Sequence, residues 1–466
     1  MKEIKEILSL LHNLKDTDIA LIQKAYDFAK KAHEGHLRAS GEPYFNHVFS
    51  TAKSIAELDM EAVTISAGLL HDVLEDTIVK PEDIEREFGK EIQFLVEGVT
   101  KLGKLKYHGA TRHSESLRKL FVAMSHDIRV LIIKLCDRLH NMKTLDFIPK
   151  EKQLRIAKET LEIYAPIAYR LGIKKIQREL EDLAFSYVYP EDFKKIQKLL
   201  KTKRAEQEIH LDKFQKSLKK ELAKNGITDF RMDNRVKGLY SLHKKVLKYD
   251  TEVEKIYDIS ALRIMVRDVS DCYKILGIIH GAWRPLPGRI KDYIATPKLN
   301  GYRSIHTTVF TGDGGIIEVQ IRTEEMHREA EYGIASHISY KEKSVPDWVK
   351  KLVEYQKSAG EGFANDIKTD FFEERIFIFT PKGDVIDLPK NASVIDFAYS
   401  IHSDIGDHMS GAKVNGKFVA INTVLQNGDR VEVETKKSAK PSFKWLGFCK
   451  TSMAKRHINH YLENTK

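Results

Sequence analysis

The stretch AGLLHDVLED, residues 67–76, decides the fold of the first half of the chain. It opens as an apolar stripe and closes on an imidazole and three carboxylates. Read as one helix, it puts His71 and Glu75 on a shared face, and likewise Asp72 and Asp76. Four polar groups beside an apolar stripe are costly unless a cation binds among them. Working outward, residues 1–195 read as helix after helix. Apolar positions recur at helical spacing, as at Ala62, Ile65 and Leu69, and strand signals are nearly absent. Pro190, followed by two acids, marks a stop and a new helical start. Asn225-Gly226 closes the charged helix that follows.

Two more clusters accompany the first. KLCDRLHNMK (134–143) sets Asp137 and Asn141 one turn apart, and GEPYFNH (41–47) ends at His47. Two histidines and two aspartates can ligate a divalent metal, and mixed nitrogen and oxygen ligands suit Mn, Fe or Zn. Glu75 and Asp76 then remain to handle the protons of an attacking water. Cys136, between Leu135 and Leu139, reads as core.

Past Gly226 the pattern changes to strands mixed with helices, over 226–340. ALRIMV (261–266) and HTTVF (306–310) read as strands. GGIIEVQIRT (314–323) alternates, with Ile317, Val319 and Ile321 on one face and Glu318, Gln320 and Arg322 on the other. NRVKGLYSLHKK (234–245), YDISALR (257–263) and PGRIKDYIATPKLNGYRSIH (287–306) bring basic and aromatic residues together. Polyphosphate transfer needs cations on the phosphates, a carboxylate-held Mg²⁺ and aligned reactants. Asp258 and Glu318 are candidates for a shared metal. Arg235, Lys237, Arg289, Lys291, Lys298 and Arg322 supply charge for two nucleotides, and Tyr302 can present a ring to a base. Neither a Walker A loop nor GxGxxG occurs.

Residues 341–373 read as a charged connector with a helical pattern from Trp348 to Tyr355. Over 374–437, RIFIFTP, GDVIDLP, GAKVNGKFVA and DRVEVET are short strands around one helix, SVIDFAYSIH, with Ser393 as its N-cap. Residues 438–466 read as a basic tail.

The 466 residues are 42% hydrophobic and 31% charged, the balance of soluble globular domains. No run of about 18 apolar residues marks a spanning helix. The segment MKEIKEILSLL lacks the apolar core of a signal peptide. Cys136, Cys272 and Cys449 are far apart, so a reducing cytoplasm is the expected location. The net charge of +10 favours anionic partners. The excess gathers in two places: 195–224 holds ten Lys or Arg against four acids, and 436–466 holds eight against one.

SGEPYFNH, GLLHDVLEDT, VEGVTKLGK, KLCDRLHNMKTL and IYAPIAYRLGI together resemble the HD-type hydrolase domain of the Rel/SpoT-homologue enzymes, which make and destroy the alarmones ppGpp and pppGpp in the stringent response. The resemblance implies Mn²⁺ held by His47, His71, Asp72 and Asp137. It implies a water activated by Glu75 and Asp76, and nucleotide contacts from Arg38, Asn141 and Thr144. Val48 stands where the family usually has proline. The region 226–340 is similar to the family's synthetase domain, with a nucleotidyltransferase-like fold. By that likeness Arg235 and Arg263 sandwich the adenine of ATP, and Lys237 and Lys298 bind phosphates. Asp258 and Glu318 hold Mg²⁺, Tyr302 stacks on the guanine of GDP or GTP, and His306 and Gln320 line the site. Arg289 and Lys291 belong to the RxKD form found in bifunctional members. Ile338 replaces a usual tryptophan. Residues 374–437 resemble the β-grasp TGS domain, in which His402 matches a residue that contacts uncharged tRNA on the ribosome.

The expected architecture is therefore multidomain α and α+β. An all-helical hydrolase domain (1–195) leads through a linking helix (196–225) to a mixed-sheet synthetase domain (226–340). The connector (341–373), the TGS domain (374–437) and the tail (438–466) follow. The alternatives are a chain with one live active site, or a scaffold that mainly senses tRNA and ribosomes.

Overall fold

The computed structural model describes residues 3–12, 14–103, 126–248, 259–298, 300–338, 369–370, 373 and 375–464. Two compact units emerge, one within residues 3–338 and one over 369–464. No helix among the described residues is long and apolar enough to cross a membrane.

The first unit opens with helices. Those that build its site are α1 (Asp16–Ala32), α2 (Phe45–Ala56), α3 (Ala62–Leu70), the one-turn α4 (Val73–Asp76) and α5 (Ile128–Lys143). Ile55, Ile65, Leu69, Ile132 and Leu135 are among the fully buried residues of this helical core. At Gly68 a Cβ would stand 2.4 Å from Ile55 Cδ1, so a larger residue there would make the Ile55 side chain shift where α3 packs on α2. The expected single helix through HDVLED is not formed. The chain turns at Asp72 (φ −101°, ψ −5°) and restarts as α4, whose Glu75 and Asp76 amides donate to the Asp72 carbonyl. The turn separates the His71–Asp72 pair from Glu75 and Asp76.

Helix α6 (Lys174–Val188) ends two residues before α7 (Pro190–Lys224), so Pro190 is the start that the sequence indicates. Gly226 follows α7 at φ +75°. Far from being a bare link, α7 enters two cores. Ile196 packs with Phe185, Leu242 and Ile259. Leu211, Phe214, Leu218 and Leu222 pack beneath a sheet.

That sheet has five strands: β1 (Phe230–Val236), β2 (Ser260–Val266), β3 (Lys291–Asp292), β4 (Ile305–Phe310) and β5 (Ile316–Thr323). Their order is β1-β2-β5-β4-β3, with only β2 and β5 parallel. Leu262, Ile264, Val319 and Ile321 face α7 and α8 (Val269–Ala282). Registered partners across a sheet project to one side. One row therefore runs across all five strands: Asp233, Arg263, Gln320, His306 and Lys291. The polar face of β5 is as the alternation predicts, yet it is covered: Gln320 and Arg322 are buried.

Helix α9 (Glu324–Tyr332) ends at Gly333, with φ +55° and ψ −133°. A Cβ there would fall 2.1 Å from the Leu171 carbonyl oxygen, and the Ile334 amide donates to that same oxygen. This close seam ties the helical half to the α/β half.

The second unit pairs β6 (Arg375–Phe379) with β7 (Val385–Pro389) and orders β8 (Met409–Val414), β9 (Lys417–Val419) and β10 (Val431–Thr435) as β10-β8-β9. Helix α10 (Val394–Ile401) starts at the capping box of Ser393 and Asp396. The buried Asp396 also accepts from the amides of Lys450 and Thr451 and from the Thr451 hydroxyl. Trp445, Cys449, Ala454 and Ile458 lie in the same core as Phe397 and Ile395. The stretch read as a basic tail is here a packed element, with helix α11 (Ser452–Asn464). The connector pattern from Trp348 to Tyr355 lies outside the described residues.

Gly333→Ala should cost about 1–3 kcal/mol through backbone strain alone, and more where the new methyl meets the Leu171 carbonyl. The expected readout is a lower denaturation midpoint with faster hydrogen exchange at the Ile334 amide. Unchanged exchange would contradict the close seam.

Candidate functional site: a buried imidazole–carboxylate cluster and a cationic sheet face

In the helical half, the ends of α2 and α3 and the middle of α5 converge. His47 Nε2 lies 3.2 Å from Asp72 Oδ2 and 3.2 Å from Asp137 Oδ1. His71 Nε2 lies 3.2 Å from Asp72 Oδ2 and 3.9 Å from Asp137 Oδ1. His47, His71 and Asp137 are buried, and their donor atoms lie within 4.8 Å of one another. The Gly68 carbonyl can only accept, so the His71 Nδ1 at 2.8 Å carries a proton, and in the neutral ring Nε2 presents its lone pair. That buried Nε2 has no hydrogen-bond partner. An orphaned imidazole nitrogen among carboxylates fits a divalent cation.

Three neighbours hold the ligands in place, and the sequence reading passed over two of them, Tyr44 and Lys134. Tyr44 donates its hydroxyl to Asp72 Oδ2 at 3.0 Å. Lys134 Nζ reaches Asp137 Oδ2 at 2.6 Å, and Asn141 Nδ2 donates to Oδ1 at 2.5 Å. Asn141 is the residue that helical spacing set one turn from Asp137, and Lys134, three residues before it, could have been found the same way. Burial works against the His71 cation, but the charge of Asp72 outweighs it and pushes the imidazole up to about 9. Burial likewise opposes ionisation of Asp72, yet His71 and His47 hold its carboxyl well below the usual range. Burial pushes His33, stacked on Tyr44, down to about 4.

Arg38 binds Asn141 Oδ1 at 2.6 Å and Thr144 Oγ1 at 3.3 Å, so the three expected nucleotide contacts do meet. Glu75 is open along much of its surface, but partial burial and then Asp72 raise its carboxyl. Asp76 is exposed on the same turn. Cys136 is fully buried, and burial raises its thiol, as a core residue requires.

On the sheet face, Tyr302 Oη contacts His306 Nε2 at 2.8 Å, and His306 Nδ1 stands 2.9 Å from Glu318 Oε1. Gln320 Nε2 donates to the same oxygen at 3.3 Å, and Gln320 Oε1 accepts from Arg235 NH1 at 3.3 Å. Arg263 lies diagonally beside Arg235, facing Asp233 at 3.6 Å and Glu331 at 3.5 Å. Lys237 follows β1, its amide bonded to Ile259. Arg289 and Lys291 are exposed at the β3 edge. Asp258 lies outside the described residues. Burial, then Lys291 and Arg235, push Lys298 down to about 8. Burial lowers Arg322 to about 10, and neither its Nε nor that of Arg263 makes a hydrogen bond.

Tyr302 is not open in this structure. It is 3% exposed, and Lys174 Nζ, from the first residue of α6, sits 3.1 Å from its ring centroid. Burial, then Arg235, Arg322 and Lys298, lower the Lys174 amine far below its usual range. No local pattern around Lys174 signals this contact. In the second unit, His402 caps the short helix Ser403–Asp407 through the Asp404 amide.

Family comparison matches residues 25–174 to the HD domain, 234–345 to the region found in RelA/SpoT proteins, and 376–435 to the TGS domain. A guanosine-3′,5′-bis(diphosphate) 3′-pyrophosphohydrolase of Aquifex aeolicus is 46% identical over 451 residues, covering 95% of this chain and 64% of its own length. The bifunctional (p)ppGpp synthase/hydrolase SpoT of Escherichia coli is 42% identical over 465 residues, covering 97% of this chain and 66% of its own. A probable hydrolase of the same name from Synechocystis is 44% identical over 462 residues, covering 96% and 61%. The chain thus spans less than two thirds of these relatives. A GTP pyrophosphokinase family protein of Streptococcus pneumoniae overlaps 35% of this chain and 84% of its own at 26% identity, with a TM-score of 0.24. Three matched regions in this order, and relatives aligned along nearly the whole chain, make it a member of the RelA/SpoT family.

Proposed function

We propose that this chain both makes and destroys ppGpp and pppGpp, at two separate sites in its first unit. The observation that carries the reading is the coexistence of the buried His47–His71–Asp72–Asp137 cluster with the Glu318 network on the cationic sheet face.

In hydrolysis, Arg38, Asn141 and Thr144 seat the guanosine nucleotide beside the cluster. A Mn²⁺ held by His47, His71, Asp72 and Asp137 would polarise the phosphoryl oxygen and acidify a bound water. Glu75, with its raised carboxyl, accepts a proton from the attacking water, and Asp76 orients it. The water oxygen bonds to the phosphorus on O3′, the P–O3′ bond breaks, and O3′ takes up a proton. Pyrophosphate and GDP or GTP leave.

In synthesis, Arg235 and Arg263 flank the adenine of ATP, while Lys237 and Lys298 hold its phosphates. Arg289, Lys291 and Arg322 add positive charge, and His306 and Gln320 line the seat. A Mg²⁺ held by Asp258 and Glu318 would neutralise the polyphosphate. Glu318 takes the proton of the guanosine 3′-hydroxyl, whose oxygen attacks the β-phosphorus. The bond from that phosphorus to the α,β-bridging oxygen breaks, and AMP leaves. Tyr302 stacks on guanine once Lys174 has withdrawn. The TGS unit, with His402 on its surface, is the part suited to uncharged tRNA and the ribosome, and a cytoplasmic setting follows from those partners.

Asp72→Ala should abolish ppGpp hydrolysis and metal binding while ATP plus GDP still yields ppGpp. Glu318→Gln should do the reverse, with pyrophosphate transfer down at least about a thousandfold. Loss of both activities in either variant, read by resolving the nucleotides, would reject two separate sites.

Lys298 bears on pH. With its amine near 8, it is largely neutral at pH 8.5 and protonated at 6.5. Phosphate beside it favours the cation, so binding of a non-hydrolysable ATP analogue should take up protons at pH 8.5 and not at 6.5. Calorimetry in buffers of different ionisation enthalpy measures this, and Lys298→Met should remove the uptake.

Lys174→Ala uncovers the Tyr302 ring. Guanine nucleotide should then bind the synthetase site several-fold more tightly in a Glu318→Gln background. Unchanged affinity would mean that Lys174 does not obstruct the base.

A further inference from the structure

His140 lies in the metal-site helix α5, yet it is not one of the four ligands. Its Nδ1 is 2.9 Å from His47 Nδ1 and 3.1 Å from Arg38 NH1. A guanidinium nitrogen can only donate. The His140 Nδ1 that faces it is therefore an acceptor, and the neutral ring carries its proton on Nε2. His47 Nδ1 faces that same lone pair, so it must be the donor. His47 then carries its proton on Nδ1 and turns a bare Nε2 toward Asp72 and Asp137, as a metal ligand must. The Gly68 carbonyl sets His71 the same way. The two histidines thus reach the same tautomer by different routes: His71 through a main-chain carbonyl, His47 through a side chain that also touches Arg38.

We propose that His140 is a positioning residue for the metal site, whose Nδ1 acceptor fixes the tautomer and ring orientation of His47 and is itself held in its acceptor form by Arg38. The inference rests on reading the four-residue cluster as a metal centre. Its consequence is specific. Arg38 is also bonded to Asn141 and Thr144, the proposed nucleotide seat. The arginine that meets the nucleotide is therefore one side chain away from a metal ligand. Removing the Arg38 cation should loosen the metal even when no nucleotide is present.

The test uses Mn²⁺ alone, with the free ion counted by electron paramagnetic resonance on the full chain in the absence of nucleotide. His140→Leu removes the acceptor and should weaken Mn²⁺ binding about ten- to hundredfold, the usual effect of losing the group that orients a ligating histidine. His140→Asn sets a carbonyl oxygen near the position of Nδ1 and should restore most of the affinity. Arg38→Met should fall between the two. Should His140→Leu fail to fold, as judged by thermal melting, His140→Gln replaces it, since its acceptor sits one methylene further out; the same loss is expected. Wild-type affinity in folded His140→Leu, or an equal loss in His140→Asn, would overturn the role of the Nδ1 acceptor. Absence of Mn²⁺ binding by the wild-type chain would instead overturn the metal centre itself, so the two failures are distinct.

Discussion

Charge taken out of water must be matched, and both sites of the first unit leave that match incomplete. The helical half buries two carboxylates against two imidazoles and the Lys134 ammonium, with one imidazole nitrogen left bare. The sheet face does the opposite. It gathers Arg235, Arg263, Lys298 and Arg322 under cover, with Asp233, Glu318 and Glu331 as the acids facing them. One pocket wants a cation and the other wants an anion. The helices, the turn at Asp72 and the five-strand register are what hold these like-signed groups close enough to create the demand.

The register does most of this on the sheet side. Five residues from five strands lie in one row because each is paired to the next. A slip of one position in any strand would turn its member of the row into the apolar core. The apolar face prevents this: Leu262, Ile264, Val319 and Ile321 are pinned by α7 and α8. Core packing thus places the polar groups to within a rotamer.

The seam between the halves carries the other strong constraint. Gly333 and Leu171 approach closely, and this brings Lys174 over Tyr302. Lys174 is a buried amine beside three other basic groups, an arrangement that opposes its charge. It is held by surrounding geometry more than by its own electrostatics. A polyphosphate entering the sheet face would bring the negative charge that this cluster lacks.

Much of this was legible in the chain itself. Period 3.6 gave the helical half, and period 2 the faces of β5. Residue chemistry at His47, HDVLED and DRLHN marked the cation pocket, because metal ligands must be of a few types and helical spacing brings them together. Asn141 on Asp137 and the Ser393 cap are local, so short-range rules reached them. What the sequence could not carry is contact between distant segments. The break at Asp72 depends on how α3 meets its neighbours, although the local pattern favours a continuous helix. The tail beyond residue 437 reads as basic by composition, yet Trp445 and Ile458 find a core there and Asp396 binds the backbone that leads into α11. Lys174 on Tyr302 and His140 between Arg38 and His47 have no signature in spacing, because each needs two elements docked at a set distance. Residue types and periods determined what chemistry is available; tertiary packing decided which groups face one another, since only a closed core fixes long-range distances.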